Sequence, residues 1–554
     1  MSSVIRFLSR LSIQSRRRLP SLRGLFVFGT ILGSMVFFSL YVGFELSPPI
    51  HLRQFSSEFE LTNYIKTHQP PPLIGEFWFR PGINPWMTLD DSFGTPQGID
   101  GTSGYSTTNV QVEGVDEPDS VKTDGQYIFT FVDTEIVVIR AYPVETAEEV
   151  TRFQPTILPF ALFLHSSKML VVLGTDDSRI KIEIYDVTDP QFITLSYWMT
   201  IDSGYQGARM IGNYLYLITS KYAQDGEFRD RPWVETPLGA WSIPANQIYY
   251  DPGNYDWIYQ YKMIVSLDIT DPEATPDIET ILTGHSSCTL YSSLTNIYLA
   301  VSRFPFLSRS WFDRKTTIHR FQIHEADTTY QGSGMVPGFL INQFALDESE
   351  SHLRVATTSW QKVNQPDAES WTQVSNVYIL DMEMKIRGCI EGLAPGESIY
   401  SVRFLGDTGY LVTFFKTDPL FILDLSIPHA PRVMGELVIP GYSDYLHPLE
   451  NGFLIGIGKD VATSGHDDSW WWYQGLKISL FNTTDPYQPE ETERIVVGVR
   501  GTESYALNDH KAVLVDTQHN LLVLPVLLAE YSAGSDPVPS TFGNVTWQGA
   551  YVFS

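Results

Sequence analysis

The chain has 554 residues, 64 of them acidic and 37 basic, for a formal net charge of −27 at pH 7. Such an acidic surface repels phosphate backbones and anionic lipid headgroups, which excludes nucleic acid as a partner. Two cysteines exclude a disulfide framework, and Cys288 and Cys389 fall in predicted strands at different radii, so no bridge is expected.

Residues 1–23 carry Arg6, Arg10, Arg16, Arg17, Arg18 and Arg23, with no acid before Glu45. Residues 24–44, GLFVFGTILGSMVFFSLYVGF, are uncharged. As a helix rising about 1.5 Å per residue they would cross a hydrocarbon core of about 30 Å. The positive-inside rule then predicts a single-pass cell-membrane protein, with a cytoplasmic Arg-rich tail and everything after Glu45 outside. A cleaved signal peptide fits less well, because the run exceeds an h-region of about 7 to 15 residues and YVGFELS lacks a small-x-small pair. Without the six arginines the balance is 31 basic to 64 acidic, a net of −33 outside the membrane.

Residues 45–104 form the next segment. In FSSEFELTNYIKT, residues 55–67, Ser57 and Glu60 have capping-box spacing and Leu61, Tyr64 and Ile65 share a face, which predicts one short amphipathic helix. The Pro- and Gly-rich stretch 69–104 reads as a stalk.

From residue 105 to 554 one pattern recurs. Its plainest copy is residues 401–437, with four short apolar strands: SVRFL (a), GYLVTFF (b), LFILDLS (c) and RVMGEL (d). Strand c recurs eight times, with Arg140, Asp186, Asp268, Gln322, Asp381, Asp424, Asn482 and Ser554 in equivalent positions and a smallest spacing of 43 residues. A four-stranded unit of about 40 to 45 residues has the size of a propeller blade. Asp or Asn followed by Thr-Asp-Pro is turn chemistry, so these acids are expected to be structural. The expectation is an all-β propeller of eight units, closing as seven or eight blades, behind one transmembrane helix and the short helix. A large sandwich or two all-β domains is the alternative.

YSTTNVQVEGVDEPDSVKTDGQYIF (105–129) and DPLFILDLSIPHAPRVMGELVIPGYSDYLHPLENGFLIGIG (418–458) resemble a family of archaeal and bacterial secreted or membrane-anchored β-propeller proteins, distantly related to WD40 repeats. The resemblance covers nearly everything after residue 50 and implies the propeller and an exported location, but no activity. Members of that family continue beyond the stretch resembling GAYVFS, where this chain stops. That leaves the eighth unit without strand d, and TTNVQVE (107–113) is expected to supply it or leave an open last blade.

Extra residues collect between strands b and c, at 221–258, 303–315, 359–375, 459–475 and 529–547. In an antiparallel blade these loops emerge at one end, so all five are expected on one face. They hold Trp233, Trp241, Trp257, Trp311, Trp360, Trp371, Trp470, Trp471, Trp472 and Trp547, ten of the 13 tryptophans, where proportional sharing would give roughly 2.4. Either the loops pack on one another through these rings, or the rings form a recognition face for an extracellular protein or polysaccharide. Trp470 to Trp472 are expected to keep a ring exposed.

Chemical motifs are sparse. His466, Asp467 and Asp468 are consecutive and rarely converge on a metal. Asp116, Glu117, Asp119 and Asp124 could hold Ca²⁺, but Pro118 and Asp124–Gly125 read better as a solvated turn. His447 falls in a predicted strand a lining the channel, as a satisfied core histidine. Asn482 and Asn544 head glycosylation sequons. No GxSxG, HExxH, P-loop or dinucleotide fingerprint is present, so no cofactor is expected and the reading leans against an enzyme. The favoured function is a binding module; the rivals are a metal-assisted hydrolase or lyase and a structural cell-envelope component.

Overall fold

The computed structural model describes residues 50–68 and 109–554, apart from 167, 178, 224–230, 257, 285–287, 304–311, 365–368, 415–417, 450–451, 464–470, 533 and 535–537. The chain divides into Met1–Pro48 and Pro49–Ser554. The first unit, and with it the expected span 24–44, lies outside the described residues. Among the described residues no helix is long and apolar enough to cross a membrane.

Residues 121–553 fold into eight sheets, spanning 121–153, 158–201, 204–284, 288–337, 346–393, 398–439, 442–497 and 514–553, all antiparallel except that Ile248–Tyr250 runs parallel to Asp277–Gly284 in the third. We number these blades 1 to 8 and letter their strands a to d from the centre outward. Blade 6 shows why the sequence folds this way. Its strands b (Thr408–Phe414) and c (Asp418–Asp424) pair Tyr410 with Ile422 and Leu411 with Phe421. Leu411, Phe421 and Leu423 pack against blade 5, while Tyr410, Val412, Leu420 and Ile422 pack against blade 7. A strand covered on both faces reads as a continuous apolar run, which is how the b and c strands appear in the sequence.

The c/d turns behave as their Asx signature predicts. Thr188, Thr270, Glu383, Ser426 and Thr484 each donate a backbone N–H to the side chain two residues back, on Asp186, Asp268, Asp381, Asp424 and Asn482. The turns of blades 5, 6 and 7 then seat against a strand-d glycine of the preceding blade, Gly334, Gly388 and Gly435. A Cβ on Gly388 would lie 2.2 Å from the Pro428 carbonyl oxygen, and one on Gly435 would lie 2.2 Å from that of Pro486. Only glycine permits that approach.

Helix α1 (Glu58–His68) starts where Ser57 as its N-cap places it. Ser57 Oγ accepts from Glu60 N at 3.2 Å, and Glu60 reaches back to Ser56 rather than to Ser57. Its buried Leu61, Tyr64 and Ile65 join the apolar cluster between blades 2 and 3, with Phe55 stacked on Tyr250 at 3.8 Å. Arg53–Gln54 adds to the outside of blade 3 through Ile248–Tyr250, giving that sheet six strands. The expected stalk, 69–104, lies outside the described residues.

Seven apolar clusters join blade 1 to 2, 2 to 3, and so on to 7 and 8. None of the described clusters joins blade 8 to blade 1. Val121 and Val132 on blade 1, and Leu514 and Val552 on blade 8, point away from the flanking clusters and stay exposed. Among the described residues blade 8 has three strands: Leu514–Asp516, Leu521–Glu530 and Asn544–Phe553. Residues 109–113 do not supply its strand d, contrary to the pattern-based expectation. They enter the centre of the ring, where Asn109 Nδ2 donates to the carbonyls of His510 and Val513 at 2.6 and 2.7 Å. Gln111 Nε2 donates to Gln343 and Leu346, and Asp116 and Asp119 bridge to Met210 and Leu162. The segment thus touches blades 8, 5, 3 and 2 before becoming strand a of blade 1. Its polar side chains reach backbone carbonyls of blades 5 and 8 across the channel, two of which, on Gln343 and His510, also accept a turn amide.

Truncation should separate the closed junctions from the open one. Leu524→Ala, fully buried between blades 7 and 8, is expected to cost about 2 to 4 kcal/mol. Leu514→Ala, on the open side of blade 8, is expected to cost under about 1 kcal/mol. Urea titration of both variants checks this.

Candidate functional site

Strands b and c of blades 5 and 7 run past the ring as long hairpins, His352–Asn364 with Glu369–Asp381 and Phe453–Thr463 with Trp471–Asn482. The described inserted residues of blades 5 and 7 are therefore strand, not loose loop. The largest insertion, 221–258, instead turns outward. Its hairpin Trp233–Thr236 and Gly239–Ser242 extends strand d of blade 2, making that sheet six-stranded as well.

Three aromatic groups occupy the b/c end of the ring. Over blades 4 and 5, Trp371 stacks on Phe312 with centroids 4.9 Å apart and planes 5° apart. Trp360 meets Phe312 edge-on at 6.2 Å, and Phe339, beside Trp360, carries the Arg314 guanidinium at 4.5 Å. Over blades 6 and 7, Tyr400, Phe414, Tyr442 and Tyr473 form a chain of tilted and edge-on contacts of 5.0 to 6.3 Å. Over blades 7 and 8, Arg500 lies between Trp472 at 4.7 Å and Phe542 at 4.2 Å, while Gln474 Nε2 donates to Pro539 O. These contacts hold the hairpins to one another, as satellite cores under long connections do. Several rings still face water: Trp371 is 36% exposed, Phe542 65% and Tyr505 72%.

The channel is filled by polar and aromatic side chains. Strand a of blade 5 is interrupted by a turn that places Gln343 and Phe344 inward, and strand a of blade 8 by one that places His510 inward. Phe344 and His510 meet edge-on at 4.9 Å, and Arg403 lies over Phe344 at 5.3 Å. Asp116 accepts from Lys122 at 2.7 Å, Glu117 lies 3.7 Å from Arg209, and Asp509 lies 3.8 Å from Lys511. Lys511 also donates to Pro118 O. Burial pushes the Asp509 carboxyl up to about 6 against the pull of Lys511. His447, paired with Tyr445 Oη at 2.9 Å, is pushed down to about 3 by burial and by Arg403.

The predicted residues divide as follows. Trp371 and Trp472 lie on the b/c end, while Trp233 and Trp241 lie on the rim of blade 2, half-buried, with Arg179 over Trp233 at 5.7 Å and Trp241 against the core. Trp547 sits on the outermost strand of blade 8. Trp257, Trp311, Trp470, His466, Asp467 and Asp468 lie outside the described residues, and Trp471 is placed only as the first residue of a strand. Asp116, Glu117 and Asp119 are drawn into the channel, whereas Asp124 accepts two turn amides. Among the described residues no three His, Cys, Asp or Glu side chains are grouped to hold a metal. Cys288 and Cys389 are not joined in a disulfide. Asn482 Nδ2 donates to Glu490 in a c/d turn, and Asn544 is exposed at the start of its strand. Counting tryptophans missed Tyr400, Phe414, Tyr442, Tyr473, Arg500 and Phe542; a count of all aromatic rings in the same b/c insertions finds Tyr473 and Phe542.

Two substitutions test these readings. Trp472→Ala removes half of the Arg500 sandwich and is expected to cost about 1 to 3 kcal/mol in urea titration. An imidazole neutral in the fold, at about 3, but near 6.5 when unfolded stabilises above pH 6.5, and that contribution is lost as pH falls toward 3. His447→Gln should therefore flatten the acid limb of the stability profile, read as a smaller drop in urea midpoint between neutral and mildly acid buffer.

Residues 105–554 match the model of a beta propeller domain. An uncharacterized protein of Methanocaldococcus jannaschii is 30% identical over 496 residues, covering 76% of this chain and 74% of its own. An uncharacterized protein of Archaeoglobus fulgidus is 28% identical over 531 residues, covering 79% of each. A solved structure described as the crystal structure of the eukaryotic initiation factor is similar over 76% of this chain and 98% of its own, at 10% identity and a TM-score of 0.32. The eight-sheet ring and the match over its whole length make this chain a member of the beta propeller domain family.

Proposed function

We propose that this propeller is a binding module, held at the outer side of a cell membrane by residues 24–44, and that its b/c face takes a polysaccharide. The observation that carries the reading is the set of exposed rings on that face, with Trp371 backed on one side by Phe312 and 36% exposed on the remainder. A flat indole fixed by a neighbour offers wide, rigid contact with an N–H to donate, which fits the apolar face and hydroxyls of a sugar. The basic tail and uncharged run of residues 1–44 support the tether. Binding fits the channel better than catalysis, since Asp116, Glu117 and Asp509 each have a cation beside them.

The full-length chain, titrated with cell-envelope polysaccharide, should show a saturable change in tryptophan fluorescence. Trp371→Ala should weaken that binding by about tenfold or more, whereas Trp472→Ala, which removes a packed ring at the same end, should lower stability with a smaller loss of binding. A response to envelope protein alone, or to neither fraction, would overturn the assignment.

A further inference from the structure

The added hairpin of blade 2 leaves part of one sheet face with no blade opposite. Strands c (Arg179–Asp186) and d (Thr194–Ile201) and the hairpin place Lys181 beside Thr200 beside Glu235, and Glu183 beside Trp198. Neighbouring residues of a strand point to opposite faces. Ile180, Ile182, Met199, Ile201 and Val234 join the cluster that holds helix α1. Lys181, Glu183, Trp198 and Glu235 therefore face away from that helix, toward blade 1. Blade 1 has four strands and blade 2 has six. The outermost strand of blade 1 reaches as far as Tyr185, whose ring Phe153 meets at 4.9 Å. Beyond it a pocket of about 350 Å³ opens at the b/c end, beside the Asp176–Arg179 turn, a volume in the range of small-ligand sites.

A buried acid fixes the floor of this pocket. Glu183 accepts from Thr156 N at 3.1 Å, from Tyr185 Oη at 2.6 Å and from Thr156 Oγ1, and pairs with Lys181 Nζ at 3.4 Å. Lys181 also donates to Thr156 Oγ1 at 2.6 Å, which leaves the third N–H of its ammonium for the pocket. On the outer wall, the Glu235 carboxylate has no hydrogen bond or ion pair among the described residues. The Trp198 ring is half-buried. Lys181 stands 5.7 Å from its centroid, near the outer limit of a cation–π contact, and among the described residues no other ring stacks on it.

We propose that this pocket seats one neutral hexose unit, with Trp198 against the sugar ring, Glu235 accepting from its hydroxyls and Lys181 donating to them. The proposal rests on polysaccharide as the ligand of the b/c end and gives that ligand a second anchoring point. Chemistry selects the occupant. A hydroxyl both donates and accepts, so a sugar answers an unpaired carboxylate and an ammonium in the same pocket. Its C–H face suits an indole, whereas a wholly apolar ligand would strip water from both charges without replacing it. An anionic sugar would meet Asp176, Glu183 and Glu235 against only Arg179 and Lys181, on a chain of net charge −27.

Calorimetric titration of the full-length chain with glucose, galactose, mannose and N-acetylglucosamine tests this, with glucuronate as the anionic comparison. At least one neutral sugar should bind saturably at about millimolar concentration, and glucuronate about tenfold more weakly or worse. Trp198→Ala should abolish the neutral-sugar response. Glu235→Gln, at a carboxylate without partners, should leave the melting temperature unchanged, weaken the neutral sugar about tenfold and narrow its margin over glucuronate. No response to any of the four neutral sugars overturns the pocket, as does a response that survives both substitutions. Envelope polysaccharide that still binds through Trp371 would then leave the b/c-face site standing. Hexose binding that both pocket variants lose, in a chain that never binds envelope polysaccharide, would support the pocket and overturn the b/c-face site.

Discussion

Closing a ring of sheets requires every blade to have both faces covered, and among the described residues one junction of eight has no apolar cluster across it. The crossing segment 109–119 takes over that task. It links blade 8 to blades 5, 3 and 2 by hydrogen bonds through the centre, then runs on as blade 1. A buried backbone carbonyl without a partner costs about 1 to 3 kcal/mol. The amides of Asn109 and Gln111 each donate to two backbone carbonyls, on blades 8 and 5, so polar contacts tie the segment across the centre. The inward turns of blades 5 and 8 belong to the same device, because they bring Gln343, Phe344 and His510 to the segment and to each other.

With the centre filled, chemistry and recognition are displaced to the two ends of the ring. The b/c end is built from hairpins that extend the blades themselves, so its aromatic groups sit on regular backbone and hold one another in place. The same rings serve both readings of the tryptophans. Phe312, Trp360 and Trp472 are engaged in packing, and the outer faces of Trp371, Phe542 and Tyr505 remain open to solvent.

Much of this was legible in the sequence, for identifiable reasons. Strands b and c are covered on both faces, so their apolar runs stand out, and the Asx turns that follow strand c have a local signature independent of tertiary context. Helix α1 was legible through Ser57 and through Leu61, Tyr64 and Ile65. The path of 109–119 was not, because TTNVQVE alternates like a strand while its actual partners are more than 200 or 400 residues away in sequence. The route of 221–258 was hidden for the same reason. Trp233 and Trp241 follow their hairpin to the rim of blade 2, a pairing fixed by Val234 and Glu235 against Ile201 and Thr200 that no local pattern announces. Tyrosine and phenylalanine at the b/c end escaped because both are common in strands anyway.

Amide exchange across residues 109–119 in the full-length chain tests the central claim most directly. If this segment holds the ring closed, its amides should exchange as slowly as those of strand a in blades 2 and 3 and be released only with global unfolding. Rapid exchange of 109–119 while the blades stay protected would contradict it.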